Sequence, residues 1–131
     1  MNLLLDTHAL LWFASDSRRL GRQAGKLIRS PANLVWVSAV SLWEISLKAS
    51  LDRATISERL AEVALEDLER YGFKPLPITI RHALAIRDLP WLHRDPFDRM
   101  LVAQALCEDL TLLTADPLIR TYDIRTLDAT A

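Results

Sequence analysis

Asn2-Leu3-Leu4-Leu5-Asp6-Thr7-His8-Ala9-Leu10-Leu11-Trp12-Phe13-Ala14 is the stretch that decides the fold. Leu3 to Leu5 form the continuous apolar run of a strand buried on both faces. From Thr7 to Ala14 apolar residues are too dense and the run too long to continue that strand, so the period changes at Asp6. A buried strand that hands its chain directly to a helix is the opening of a parallel α/β unit, and here it leaves an acid at the strand's carboxyl end.

The same handover recurs along the chain. Gly21 to Arg29 reads as a short helix stopped by Ser30-Pro31, and Leu34 to Val37 as a second apolar, β-branched run leading into a helix from Ser38 to Leu51. Glu58 to Tyr71 is helical, with Leu60, Val63, Ala64, Asp67 and Leu68 marking a 3.6 period and Gly72 in the stop position. Phe73 to Ile78 reads as a weaker strand, confined to an edge because Pro75 and Pro77 each remove a ladder donor. Thr79 to Leu89 reads as a helix closed by Pro90. Phe97 to Glu108 reads as a strong helix burying Leu101, Val102, Ala105 and Leu106. Thr111 to Thr114 is a further buried strand, followed by a short helix from Pro117 to Tyr122 and a last strand from Ile124 to Leu127. Alternating strands and helices imply right-handed crossovers and a mostly parallel sheet of about five strands covered on both faces, an α/β sandwich.

Four carboxylates, Asp6, Glu44, Asp98 and Asp116, each fall near a strand end or helix start. Each alone has a structural explanation. Asp6 can cap the helix that begins at Thr7, Asp116 before Pro117 fits an N-cap, Ser41-Leu-Trp-Glu44 matches a capping box, and Asp95-Pro-Phe-Asp98 a cap with an acid three residues on. Caps need not share one edge of a sheet, however, whereas these four can converge there. Such a pocket of hard oxygen donors would select Mg²⁺ or Mn²⁺ and would resist full ionisation without a cation.

Leu-Leu-Leu-Asp6-Thr7-His8, Ser41-Leu-Trp43-Glu44-Ile-Ser-Leu-Lys48, His93-Arg-Asp95-Pro-Phe-Asp98-Arg-Met-Leu-Val-Ala-Gln-Ala and Leu112-Leu-Thr114-Ala-Asp116 occur in this order and together resemble a PIN-domain protein. The block from His93 to Ala105 resembles the VapC-type toxins of bacterial toxin-antitoxin pairs in particular. The resemblance spans essentially the whole chain and implies one PIN domain over residues 1–131, a three-layer α/β/α sandwich. It also implies a Mg²⁺- or Mn²⁺-dependent endoribonuclease, inhibited by a cognate antitoxin, and commonly a homodimer; a partner's tail inserting a basic side chain among the acids would be a physically sensible inhibitor. By that likeness Asp6, Glu44, Asp98 and Asp116 hold the metal and carry the catalysis, with Thr114 beside the last acid, and the expected products are a 3′-hydroxyl and a 5′-phosphate. Where relatives often carry Gly-Lys after Lys48, this chain has Asp52-Arg53, a departure that touches the local turn.

Other polar residues divide between plain and sharper readings. Asp95, three residues before Asp98, suits a helix cap better than a shared metal. Lys48 lies four after Glu44, the spacing of a helix-face ion pair, and Arg99 adjoins Asp98; for both, salt bridging and contact with a substrate phosphate stand level. His8 reads as a hydrogen-bonded structural residue, and His93 as fixing its loop or a neighbouring carboxylate. Arg18, Arg19, Arg22 and Arg94 read as a solvated face. Trp12, Trp36, Trp43 and Trp91, with Phe13 and Tyr122, read as core or oligomer contacts.

Composition sets the bounds. At 131 residues and 50% apolar content the chain can bury one sizeable core, and a net charge of −1 leaves any RNA contact to local patches. The single cysteine, Cys107, excludes an internal disulfide, and no basic leader or bilayer-length apolar run is visible, so a cytoplasmic protein without a membrane contact is expected. Rival chemistries lack their residues. A receiver domain needs a paired acid after the first strand and a lysine after the last, yet Thr7 and His8 follow Asp6 and no lysine follows Lys74. A haloacid-dehalogenase phosphatase would need an acid where His8 stands. No Gly-x-Ser-x-Gly or glycine-rich phosphate loop exists among only three glycines. A PIN-like module that only binds RNA or protein is the remaining alternative, and the four acids argue against it.

Overall fold

A computed structural model describes residues 1–51 and 56–131, with side chains 52–61 left aside, so the Asp52-Arg53 turn and Leu60 lie outside the described residues. Five strands form one sheet: β1 (Asn2–Leu5), β2 (Leu34–Ser38), β3 (Lys74–Leu76), β4 (Thr111–Thr114) and β5 (Thr126–Asp128). Their order is β3-β2-β1-β4-β5 and every pair is parallel. The helices are α1 (Thr7–Ala14), α2 (Arg22–Arg29), α3 (Ala39–Leu51), α4 (Ile56–Arg70), α5 (Ile80–Ala85) and α6 (Pro96–Glu108).

Alternation along β1 divides the core between the two faces. Leu3 and Leu5 join Leu10, Phe13 and Ile28 from α1 and α2, Ile45 from α3 and Ala64 from α4. Leu4 joins Val40, Leu101, Val102 and Ala105 on the other face, with Leu112, Ile119 and Tyr122 closing that layer. The result is the expected α/β/α sandwich. Successive strands step outward from β1 through β2 to β3, after which the chain returns to the far side of β1 for β4. Strand order therefore reverses between β1 and β4, and the crevice beyond their carboxyl ends is where such sheets bind ligands. The Asp6 N–H donates to Leu113 O (3.1 Å) and draws the two strand ends together there.

Several boundaries differ from the sequence reading. The strand expected over 73–78 is paired only at Lys74–Leu76, at the predicted edge, because Pro77 cannot extend the ladder. The helix expected over 79–89 is α-helical to Ala85 and tightens to a 3₁₀ turn at Ile86–Asp88. The helix expected over 117–122 is a 3₁₀ turn at Ile119–Thr121, and the last strand starts at Thr126 rather than Ile124. Leu106 is 54% exposed, since α6 buries Leu101 to Ala105 and its next side chain turns outward. Gly72 has φ +66°, the left-handed stop predicted for it. Gly21 is needed for a different reason: a β-carbon there would lie 1.9 Å from the Ala131 carbonyl oxygen.

Candidate metal centre at the switch point

Each of the four acids reaches the crevice by its own local logic. Asp6 ends β1 and caps α1, its Oδ1 accepting from Ala9 N–H (2.7 Å), while Thr114 at the end of β4 donates its hydroxyl to Oδ2. The Thr114 oxygen in turn accepts from Asp116 N–H (3.0 Å), so one side chain ties both strand-end acids. Asp116 does not cap an α-helix; its Oδ1 accepts from Leu118 N–H (2.8 Å) in a side-chain-closed turn. Asp95 is the N-cap of α6, accepting from Phe97 and Asp98 N–H, as its spacing predicted. Asp98 follows in the first turn, turned toward the other acids.

Glu44 corrects the capping-box reading. Because α3 begins at Ala39, with the Ser38 hydroxyl accepting from Val40 N–H (3.0 Å), Ser41 and Glu44 lie inside the helix rather than at its start. Ser41 is buried and its oxygen accepts from Thr7 (3.1 Å), fastening α3 to α1. Glu44 is buried too; its Oε2 receives the Lys48 ammonium at 2.6 Å, whereas Oε1 is sealed from solvent without a partner among the described residues. Lys48 thus makes the predicted helix-face pair, and that carboxylate raises its pKa.

The electrostatics record how closely the acids stand. Asp98 is pushed up to about 7, by burial first and then by the nearby charges of Asp95, Glu44 and Asp6 against the opposing pull of His93. Asp6 is also raised, chiefly by burial and in part by Asp116, although Thr114, Ala9 and His8 oppose the shift. For both acids burial and like charge outweigh the opposing groups.

His93 stands at the centre of the group. Its Nε2 lies 2.8 Å from Asp116 Oδ2 and 3.1 Å from Asp98 Oδ2, and the three ligand-capable atoms fall within 4.8 Å of one another. Because Nδ1 accepts from Asp95 N–H (3.0 Å), the ring proton sits on Nε2 and is donated to Asp116, with the Asp98 oxygen alongside. His93 N–H donates to the Tyr122 hydroxyl (3.0 Å), which completes the mount. Sequence reasoning gave His93 its loop or a carboxylate; it holds both, and two acids rather than one.

Among the described residues Arg99 makes no ion pair with Asp98: it is 3% exposed, and its guanidinium donates to the carbonyls of Pro90, Ile86 and Leu89 and to Tyr122 while lying 3.9 Å from the Trp91 ring centre. It braces the loop that carries His93. His8 is exposed, its ring 6.0 Å from Trp12, and has no hydrogen-bond partner among the described residues. Of the aromatics, Phe13 and Tyr122 are core and Trp12 and Trp36 half-buried, but Trp91 is 80% exposed and Trp43 56%, the latter packed edge-on against Phe97 beside Asp98.

Residues 3–125 match the family model of the PIN domain. The chain belongs to the PIN-domain family. No protein with a curated function matches the sequence. Among solved structures, this PIN domain resembles VapBC2 from Rickettsia felis bound to a DNA fragment from its promoter, with TM-score 0.74 and 15% identity over 97% of this chain and 98% of that one. It also resembles VapBC-1 from nontypeable Haemophilus influenzae (TM-score 0.69, 17% identity, 100% of both chains) and FitAcB from Neisseria gonorrhoeae (0.62, 17%, 97% of both). At such identities the likeness is one of fold. Among the described residues no helix is long and apolar enough to cross a membrane.

Proposed function

We propose that this PIN domain is a Mg²⁺- or Mn²⁺-dependent endoribonuclease, the toxin of a toxin-antitoxin pair, in which Asp6, Glu44, Asp98 and Asp116 hold the metal and carry the catalysis. The observation that carries the reading is Glu44 Oε1, a buried carboxylate oxygen without a partner among the described residues, together with an Asp98 that burial and then nearby acids push up to about 7. Both conditions are relieved by a hard divalent cation, so the donor set fits one. Bound ions supply Lewis acidity and an activated water for in-line hydrolysis of an RNA phosphodiester, leaving a 3′-hydroxyl and a 5′-phosphate. Thr114 keeps Asp6 and Asp116 in register, His93 fixes one oxygen each of Asp98 and Asp116, and the exposed Lys48 ammonium can meet a substrate phosphate. Wild-type protein should cleave RNA with Mg²⁺ or Mn²⁺ and stop with EDTA; cleavage that survives chelation overturns the reading.

Likeness to VapBC2, VapBC-1 and FitAcB, taken with the VapC-type resemblance of the sequence, supports a cognate antitoxin as the partner. So does an exposed apolar line on α3, Trp43, Leu47 and Leu51, which runs from beside Glu44 and offers a protein segment a place to lie. Exposed Ile80 and Leu84 on α5 support a homodimer in the same way.

Two further results are expected. His93→Ala should weaken Mn²⁺ binding by about 10–100-fold, the usual effect of losing an outer partner of metal ligands. Titration calorimetry measures it, and His93→Gln, which keeps a donor near the Nε2 position, should recover part of the loss; unchanged affinity in the alanine variant would remove His93 from the site. The second concerns pH. Cation binding needs Asp98 ionised, and below about 7 Asp98 holds its proton, so Mn²⁺ affinity should rise about tenfold per pH unit up to that point and then level off. Affinity flat from pH 5 to 8 would count against a carboxylate site.

A further inference from the structure

We infer that a basic cleft beside α1 is an RNA-binding surface, along which an unpaired strand leaves the acid pocket; the inference rests on the nuclease reading of that pocket. Between Ser17 and Trp43 the sequence carries Arg18, Arg19, Arg22, Lys26 and Arg29 and no acid, although the whole chain has net charge −1. All five are exposed, and among the described residues none is ion-paired. Arg22, Lys26 and Arg29 recur at the spacing of one helix face, opposite the buried Ala24 and Ile28, and they line a cleft of about 200 Å³ together with Trp12 and, on its rim, Asp16. Arg29 is placed rather than free-swinging, its guanidinium 5.0 Å from the Phe13 ring centre.

A path joins this cleft to the acids. Trp12 is one helical turn from the exposed His8, their rings 6.0 Å apart, and His8 is two residues from Asp6. The six residues from Asp6 to Trp12 rise roughly 9 Å along α1. The exposed His8 ring and the half-buried Trp12 ring offer π-faces to unpaired bases, and the cations beyond them offer charge to the phosphates, which is the combination single-strand sites use. An acidic protein segment would match the cations but would make no use of the line of rings that leads to the metal ligands.

The test uses the full chain carrying Arg22→Gln, Lys26→Gln and Arg29→Gln together, with binding of a long unstructured RNA followed by fluorescence anisotropy in EDTA across a salt series. Loss of three phosphate contacts should lower the slope of log affinity against log salt by about 2, given ~0.7 per contact for single strands. Affinity near physiological salt should fall at least about tenfold, while kcat on an oligonucleotide too short to leave the acid pocket stays at the wild-type value. An unchanged slope with wild-type RNA affinity overturns the inference and leaves the nuclease reading standing, as does loss of an acidic protein partner with RNA binding intact. A wild type that neither binds nor cuts RNA overturns both. Should the triple variant misfold, the native protein still decides: RNA must protect Lys26 from acetylation, and equal labelling with and without RNA refutes the cleft.

Discussion

Asp98→Asn should reduce RNA cleavage by at least about 10³-fold while making the metal-free protein more resistant to heat. The first half follows from removing a charged ligand where a cation stabilises several kcal/mol of developing charge, each 1.36 kcal/mol being about tenfold in rate. The second half follows from the same crowding. In the folded chain Asp98 is pushed up to about 7 by burial and by Asp95, Glu44 and Asp6, whereas in the unfolded chain it returns to an ordinary aspartate value of about 3.9. The folded state therefore binds that proton more tightly, and its contribution to stability is full below about pH 4, declines as pH rises toward 7 and is absent above. A neutral amide of the same shape escapes the decline. Melting in EDTA should show the variant gaining on wild type between pH 5 and 8, and added Mn²⁺ should reverse the order by stabilising only wild type. A variant that still cuts RNA, or a melting gap that closes as pH rises, would contradict the assignment of Asp98.

Residues whose environment is local were legible in the sequence. Leu3 to Leu5 and Thr111 to Thr114 read as buried strands because their apolar runs are short and sharply bounded, and Asp6 and Asp116 were thereby sent to one edge, where Thr114 does tie them. Asp95 read as a cap because capping depends on the next three residues only. The capping-box reading of Ser41 and Glu44 conflicted with the helix start read at Ser38: it is the Ser38 hydroxyl that accepts from Val40 N–H, so Ser41 and Glu44 lie inside the helix. Trp43 and Trp91 lie among apolar neighbours, and apolar patterning cannot separate a core tryptophan from one left open beside a site. Arg99 was misread for the opposite reason. Its partners come from a loop 9 to 13 residues away and from Tyr122, 23 residues on, and no local signal links them.

Those distant partners make Arg99 the other residue whose loss should be large. Arg99→Ala should destabilise the protein by roughly 3 kcal/mol, because each acceptor left without its donor costs about 1–3 kcal/mol and two are orphaned together. The carbonyls of Pro90 and Leu89 lose the guanidinium, Ile86 O keeps only the Leu89 N–H, and Trp91 loses the cation its ring faces. Arg99→Lys should recover only part of this, since an ammonium keeps the charge but not the planar fork or the stacking surface. Urea unfolding in EDTA measures both variants free of any metal contribution, and a loss within the ~0.5 kcal/mol typical of surface substitutions would show that the guanidinium does not hold the loop. The consequence extends to the acids through the Tyr122 hydroxyl, which receives Arg99 and the His93 N–H together. Slackening that joint frees the imidazole that spans Asp98 and Asp116, so at temperatures where Arg99→Ala remains folded its Mn²⁺ affinity should fall in the same direction as that of His93→Ala. Combining the two substitutions should then cost less affinity than the sum of the separate losses, because both act on one joint. Fully additive losses would mean that Arg99 serves the fold and His93 the metal through separate contacts.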